Sequence, residues 1–188
     1  MMEHPTPADL LSITLHTERL TLRPISRADT SFAVRHFTDP DVYRFMLDDE
    51  PITTAAEAEA IIDFYVATPG DTYTRWVLVR RADGEPLGTC GFHRWSRQHR
   101  LAEIGYDLSP QWWGQGYMRE AVGAMLRHGV AAMGLHRIEA LVAVDNARSA
   151  HLLQAMGFAR EGILRDSTFS GGRFHDHALY ARISATPA

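Results

Sequence analysis

Between Glu103 and Gly116 the sequence reads Glu-Ile-Gly-Tyr-Asp-Leu-Ser-Pro-Gln-Trp-Trp-Gly-Gln-Gly, an alternating run entering a glycine-rich turn, and Tyr117-Met-Arg-Glu-Ala-Val then opens a long amphipathic segment. Gly114 and Gly116 carry no Cβ, so the turn can take backbone angles closed to other residues and turn several amide N–H groups toward one anion. The helix that follows aims the positive end of its dipole at the same point. The pattern predicts a cradle for a phosphorylated ligand. Strand alternation places Glu103, Gly105 and Asp107 on one face and Ile104, Tyr106 and Leu108 on the other. Gly105 would then leave room for a substrate beside the Glu103 carboxylate.

The Gly-x-Gly pair alone is equally a tight turn that lets a helix pack closely. Two rival phosphate motifs fail on their own terms. A dinucleotide fold wants a third small residue where Arg119 stands, and a P-loop wants Gly-Lys-Ser or Gly-Lys-Thr, which is absent. Cys90 has no neighbouring His-Asp signature and reads as a small buried thiol. His175-Asp-His177 puts two imidazoles on one strand face, but with no acidic or cysteine cluster beside them no metal site is expected.

These residues need a scaffold, and the chain is long enough to build one. Its 188 residues are 45% hydrophobic with no break in composition, which fits one domain over residues 17–188 preceded by a loosely held arm at 1–16. The net charge of −4 argues against a nucleic-acid partner. A single cysteine excludes internal disulfides and fits a reducing cytoplasm, and no leader or membrane-spanning run is read. Arg19 to Arg23 reads as a strand stopped by Pro24. Ser26 with Asp29, and Thr54 with Glu57, read as helix N-terminal caps. Trp76 to Val79, Leu87 to Trp95 and Leu101 to Leu108 read as an antiparallel meander with a turn at Asp83-Gly84. A helix to Gly134, a strand over Arg137 to Val144, a helix over Ala147 to Met156 and two strands around 160–164 and 175–183 complete the order βααβββαβαββ. The predicted fold is a mixed α/β (α+β) sheet, mostly antiparallel, with one parallel pair and helices on its faces.

Gln111-x-x-Gly114-x-Gly116, Asn146-x-x-Ser149 and Met156-Gly-Phe158 together resemble the GNAT acetyltransferase superfamily. Thr17-Glu-Arg-Leu-Thr-Leu-Arg-Pro24, Ala102 to Tyr106, Asp145 to Ser149, Gly157-Phe158 and Gly172 to Tyr180 resemble its RimJ/RimL branch. The likeness implies that the central parallel strands splay apart and that acetyl-coenzyme A binds between them. Tyr106, Asp107, Leu108, Gln111, Trp113, Gly114, Gln115, Gly116, Tyr117, Met118, Arg119, Asn146 and Ser149 would hold it. It also implies direct transfer of the acetyl group to a primary amine, with a protein N-terminal α-amine as acceptor, as in ribosomal-protein acetyltransferases. The alternatives are a small amine such as a polyamine, amino acid or antibiotic, or a coenzyme-binding regulatory domain without turnover. An attacking amine must lose a proton near pH 7, and Glu103 is the first candidate to take it, with Asp107 second. Ser149 would meet the leaving thiolate, since the stretch His151 to Met156 carries no tyrosine for that task. Phe45, Trp76, Phe92, His93 and Trp95 are expected to line the acceptor pocket. No metal is implied, and a strand-rich C-terminus allows a homodimer.

Overall fold

The computed structural model describes residues 6–46, 52–67 and 72–184. Its strands are β1 (Leu15–His16), β2 (Leu20–Pro24), β3 (Trp76–Arg80), β4 (Pro86–Ser96), β5 (Leu101–Leu108), β6 (Arg137–Ala143), β7 (Ala159–Ser170) and β8 (Arg173–Ile183). Its helices are α1 (Pro7–Leu11), α2 (Thr30–Phe37), α3 (Pro40–Tyr43), α4 (Ala55–Ala67), α5 (Tyr117–Ala131) and α6 (Ala147–Ala155). The strands form one sheet in the order β1-β2-β3-β4-β5-β6-β8-β7. Every neighbouring pair is antiparallel except β5 and β6, which run parallel because α5 carries the chain across the sheet between them.

Each face of the sheet has its own core. Trp76, Leu78, Cys90, Phe92, Ile104, Ile138 and Tyr180 pack with α5 and α6 on one side. Val77 and Val79, the alternate residues of β3, pack on the other with Phe32, Phe37, Ala58 and Ile62 of α2 and α4. The two-residue period of β3 thus serves both layers. The predicted caps are formed. Ser26 N donates to Asp29 Oδ2 (2.9 Å), while Glu57 N donates to Thr54 Oγ1 (3.2 Å) and Thr54 N to Glu57 Oε2 (3.0 Å).

Three features depart from expectation. From Thr6 onward the N-terminal arm is pinned rather than loose. Thr74 Oγ1 donates to Leu11 O (2.6 Å) and Trp76 Nε1 to Ile13 O (2.7 Å), while His128 Nε2 bonds Leu10 O (2.7 Å). Leu11 itself is buried, which adds the short elements α1 and β1 to the predicted order. The last two strands are far longer than the apolar runs that announced them, because β7 continues through the polar residues 165–167. It does so by shifting register between Leu164 and Thr168, with Asp166 at φ 51°. Gly171 and Gly172, at φ 57° and 76°, supply the tight turn into β8. Third, α5 stops at Ala131, short of Gly134.

Candidate active site

The parallel pair β5–β6 is in register only at Leu101↔Arg137, Ala102↔Ile138 and Glu103↔Glu139, and the strands diverge beyond it. On its other side β5 stays paired with β4 up to Gly88↔Leu108, and Ser109 N continues the ladder to Leu87 O (2.9 Å). Antiparallel ladders bond at alternate residues, so Gly105 and Asp107 turn their backbone groups to β4, while Ile104, Tyr106 and Leu108 turn theirs to the open fork. Trp113 Nε1 takes the Leu108 carbonyl (2.7 Å). The backbone groups of Tyr106 and the Leu108 N–H face a gap where a ligand can pair with them as an added strand.

At the end of β5 stands the predicted cradle. Gly114 and Gly116 sit at φ 73° and 80°, and Gly116 is the N-cap of the 15-residue helix α5. A Cβ at Gly116 would come 3.4 Å from Arg19 Nη2. Among the described residues, no backbone carbonyl accepts from the N–H groups of Gly114 through Arg119. These donors, grouped at one helix end, can bind a diphosphate. Tyr117 and Met118 bury their side chains and so offer the site only their backbone. Gln111 and Gln115 are exposed and joined by a bond from Gln115 Nε2 to Gln111 O (2.9 Å).

The cradle is braced by Arg19 and Arg148, which sequence reasoning passed over. Arg19 Nη1 donates to Gln115 O (3.0 Å), its Nε pairs with Glu120 (2.7 Å), and its guanidinium lies 4.4 Å from the Tyr117 ring centre. Arg148 of α6 stacks on Trp113 at 4.1 Å. Arg119 is exposed and, with Arg127 and Arg182, lines a cleft of about 430 Å³ beside α5. The open strand edge, the free amides and this positive rim fit an extended ligand with a diphosphate, as acetyl-coenzyme A is.

Across the fork, Asn146 caps α6 by accepting from Ser149 N at Oδ1 (3.2 Å), which leaves its amide NH₂ for a ligand carbonyl. The Ser149 hydroxyl lies 2.7 Å from the Tyr106 phenol, a contact no sequence motif announces.

Glu103 projects from the face opposite α5, at the last registered pair before the strands part, beside Glu139 of β6. It is one-fifth exposed, with Arg94 Nη1 at 3.4 Å from Oε2. The space predicted beside it at Gly105 is filled instead: a Cβ there would stand 3.0 Å from His93 Nε2. Burial, with the charges of Arg75 and Arg94, pushes the His93 imidazole down to about 4, so at neutral pH an uncharged ring fills the place beside Gly105. Trp76, Phe92 and Trp95, expected in the acceptor pocket, are buried in the core shared with α5, on the opposite face from Glu103. Phe45 lies half-buried against Arg44 just after α3, bordering residues outside those described.

Asp107 also needs correction, both as a ligand contact and as a second base. Its backbone pairs with Thr89 of β4, and its carboxylate is buried. Oδ1 bonds His36 Nε2 (2.5 Å) and Thr89 N (2.9 Å), and Oδ2 bonds Arg75 Nη2 (2.7 Å) and Thr89 Oγ1 (2.6 Å). Burial works to raise its pKa, but Arg75, His36 and the bonds from His36 and Thr89 prevail and hold it down to about 2. A carboxylate so saturated takes no proton near neutrality. His36 Nδ1 also lies 2.8 Å from Ser109 Oγ, so serine, histidine and aspartate follow one another, but with the two ring nitrogens exchanged relative to a hydrolase triad. Ser109 and His36 are both buried, and the chain fastens α2 to β5. Cys90 is buried in the core and its thiol is raised by that burial. His175 and His177 bond within their hairpin, to Ser170 O (3.0 Å) and Ser167 Oγ (2.9 Å). Among the described residues, no helix is long and apolar enough to cross a membrane.

Known proteins share this arrangement. The Acetyltransferase (GNAT) domain family matches residues 19–159. The uncharacterized N-acetyltransferase p20 of Bacillus licheniformis is 35% identical over 170 residues, 89% of this chain and 94% of that protein. The spermidine N(1)-acetyltransferase of Vibrio cholerae is 27% identical over 158 residues, 84% of this chain and 89% of that one. The solved structure of Mycobacterium smegmatis RimJ in complex with CoA-disulfide superposes with a TM-score of 0.81 at 25% identity, over 93% of this chain and 89% of that one. A forked parallel pair, an amide cradle at its mouth and a match across three-quarters of the sequence converge on one conclusion: the chain belongs to the GNAT family and is an N-acetyltransferase.

Proposed function

We propose that this enzyme acetylates the N-terminal α-amine of a protein, using acetyl-coenzyme A as co-substrate. The observation that carries the co-substrate is the open edge of β5 at Tyr106 and Leu108, leading into the unpaired amides of Gly114 to Arg119. The amides would hold the diphosphate, Arg119 and Arg127 would add positive charge, and Tyr106, Leu108 and Asn146 would align the pantetheine arm. When bound, acetyl-coenzyme A supplies an acetyl group activated as a thioester.

Glu103, at the fork, would take a proton from the incoming ammonium, directly or through one water. The amine lone pair then forms the new C–N bond, and the C–S bond breaks with both electrons on sulfur. An N–H of the open β5 edge steadies the carbonyl oxygen as it gains charge. The Ser149 hydroxyl meets the sulfur; the acylated nitrogen gives up its second proton to water, the thiolate takes one from water and Glu103 returns its own to solvent, so each turnover releases one proton overall. A protein terminus as acceptor draws support from the RimJ likeness. A small polyamine is the second reading, favoured by the spermidine acetyltransferase relative and by the net charge of −4. Thiol release from acetyl-coenzyme A, measured with peptides of different N-terminal residues, with polyamines and with free amino acids, tests both. Preference for peptides supports the first reading and preference for polyamines the second; coenzyme binding without acetylation of any amine removes both.

A further inference from the structure

The contact between Tyr106 and Ser149 spans the fork at the depth where the strands have parted. Tyr106 belongs to β5, three residues beyond the last registered pair, and Ser149 to the first turn of α6. Their oxygens lie 2.7 Å apart, and neither makes another side-chain hydrogen bond among the described residues. Two hydroxyls carry two protons, and a single bond between them uses one. Whichever oxygen donates, one proton is left over beside the gap. Without the phenol, the serine hydroxyl could turn among its staggered positions with nothing to select one.

We propose that Tyr106 is a positioning residue for acetyl transfer, its phenol locking the Ser149 hydroxyl so that the pair presents one proton to the departing sulfur. This rests on the transfer reaction proposed above and on Ser149 meeting that sulfur. Burial pushes the phenol up to about 12, with Tyr180 nearby adding to the rise and the Ser149 bond opposing it. A thiol titrates near about 8.5, so the thiolate does not pull a proton from such a phenol. The pair therefore acts by hydrogen bonding and ends the step in the protonation state in which it began.

The test is a double-mutant cycle of Tyr106→Phe and Ser149→Ala, read as kcat and KM for acetyl-coenzyme A at saturating amine. Ser149→Ala should lower kcat about tenfold and Tyr106→Phe about three- to tenfold, with KM within about twofold of the wild type. The double variant should match Ser149→Ala within about twofold, because the phenol acts only through the serine. Ser149→Thr keeps a hydroxyl, and in that background Tyr106→Phe should again slow turnover, which mere packing would not reproduce. An equal loss from Tyr106→Phe in the wild-type and Ser149→Ala backgrounds, an unchanged kcat in Tyr106→Phe, or an unchanged kcat in Ser149→Ala would each overturn the proposal. A wild-type enzyme that acetylates no amine would instead refute the function on which it rests.

Discussion

Replacing Asp107 with asparagine removes one charge from a buried cluster and leaves the Arg75 guanidinium, only 8% exposed, without its counter-ion. Breaking one side of such a pair costs about 3–5 kcal/mol, because the remaining charge stays out of water. A domain of this length loses about 2–4 °C per kcal/mol, so the variant should melt about 6–20 °C below the wild type. The pH dependence has a definite sign. The folded carboxyl titrates at about 2, below its ordinary 3.8, so its contribution is complete above 3.8 and is lost as pH falls through 2. Asp107→Asn should lack that acid loss. Adding Arg75→Leu removes the stranded cation, and the double variant should recover part of the melting temperature. Melting curves against pH, with turnover assayed well below the transition, provide the assay. The folded variant should keep the shape of the wild-type pH profile of kcat/KM. An unchanged melting temperature with collapsed turnover would refute the reasoning and return Asp107 to the chemistry.

Glu103→Gln should cut kcat about 10²-fold at neutral pH and abolish the acid limb of kcat/KM, with coenzyme affinity intact, as pH–rate profiles and calorimetry would show. Gly116→Ala puts a residue with a Cβ at a left-handed backbone angle, at about 1–2 kcal/mol, so the variant turn should relax away from that angle when free, and coenzyme A titrations should then show about 5- to 30-fold weaker binding. His93, held near 4 against an ordinary 6.5, binds more protons unfolded than folded between those values, so stability is lost as pH falls from 6.5 toward 4. His93→Gln should flatten the melting temperature across that window.

The sheet and the glycine turn before α5 were legible because local chemistry dictates them. Two-residue alternation, capping pairs and glycines before a helix act over a few residues and leave direct marks. The aromatic pocket was misassigned because alternation shows that Trp76 and Phe92 share a face but not which helix covers it; α5 does, so they are core. Asp107 was misread for a similar reason. Its partners His36 and Arg75 come from distant segments, and only the packing of α2 against the sheet brings them together. The Tyr106–Ser149 and Arg19–Glu120 contacts are likewise long-range pairs, although Arg19 lies within the stretch from Thr17 to Pro24 that already carried the family resemblance. The strand extension through residues 165–167 escaped notice because a bulge tolerates polar residues that periodicity takes for a loop.

The pinned amino-terminal segment sets a practical limit on engineering. Shortening the protein past Ile13 would strip the acceptors from Thr74, Trp76 and His128 at once, each buried group so orphaned costing about 1–3 kcal/mol. Affinity tags and fusion partners are therefore better joined ahead of Thr6, with a spacer, than spliced in as replacements for the residues behind it.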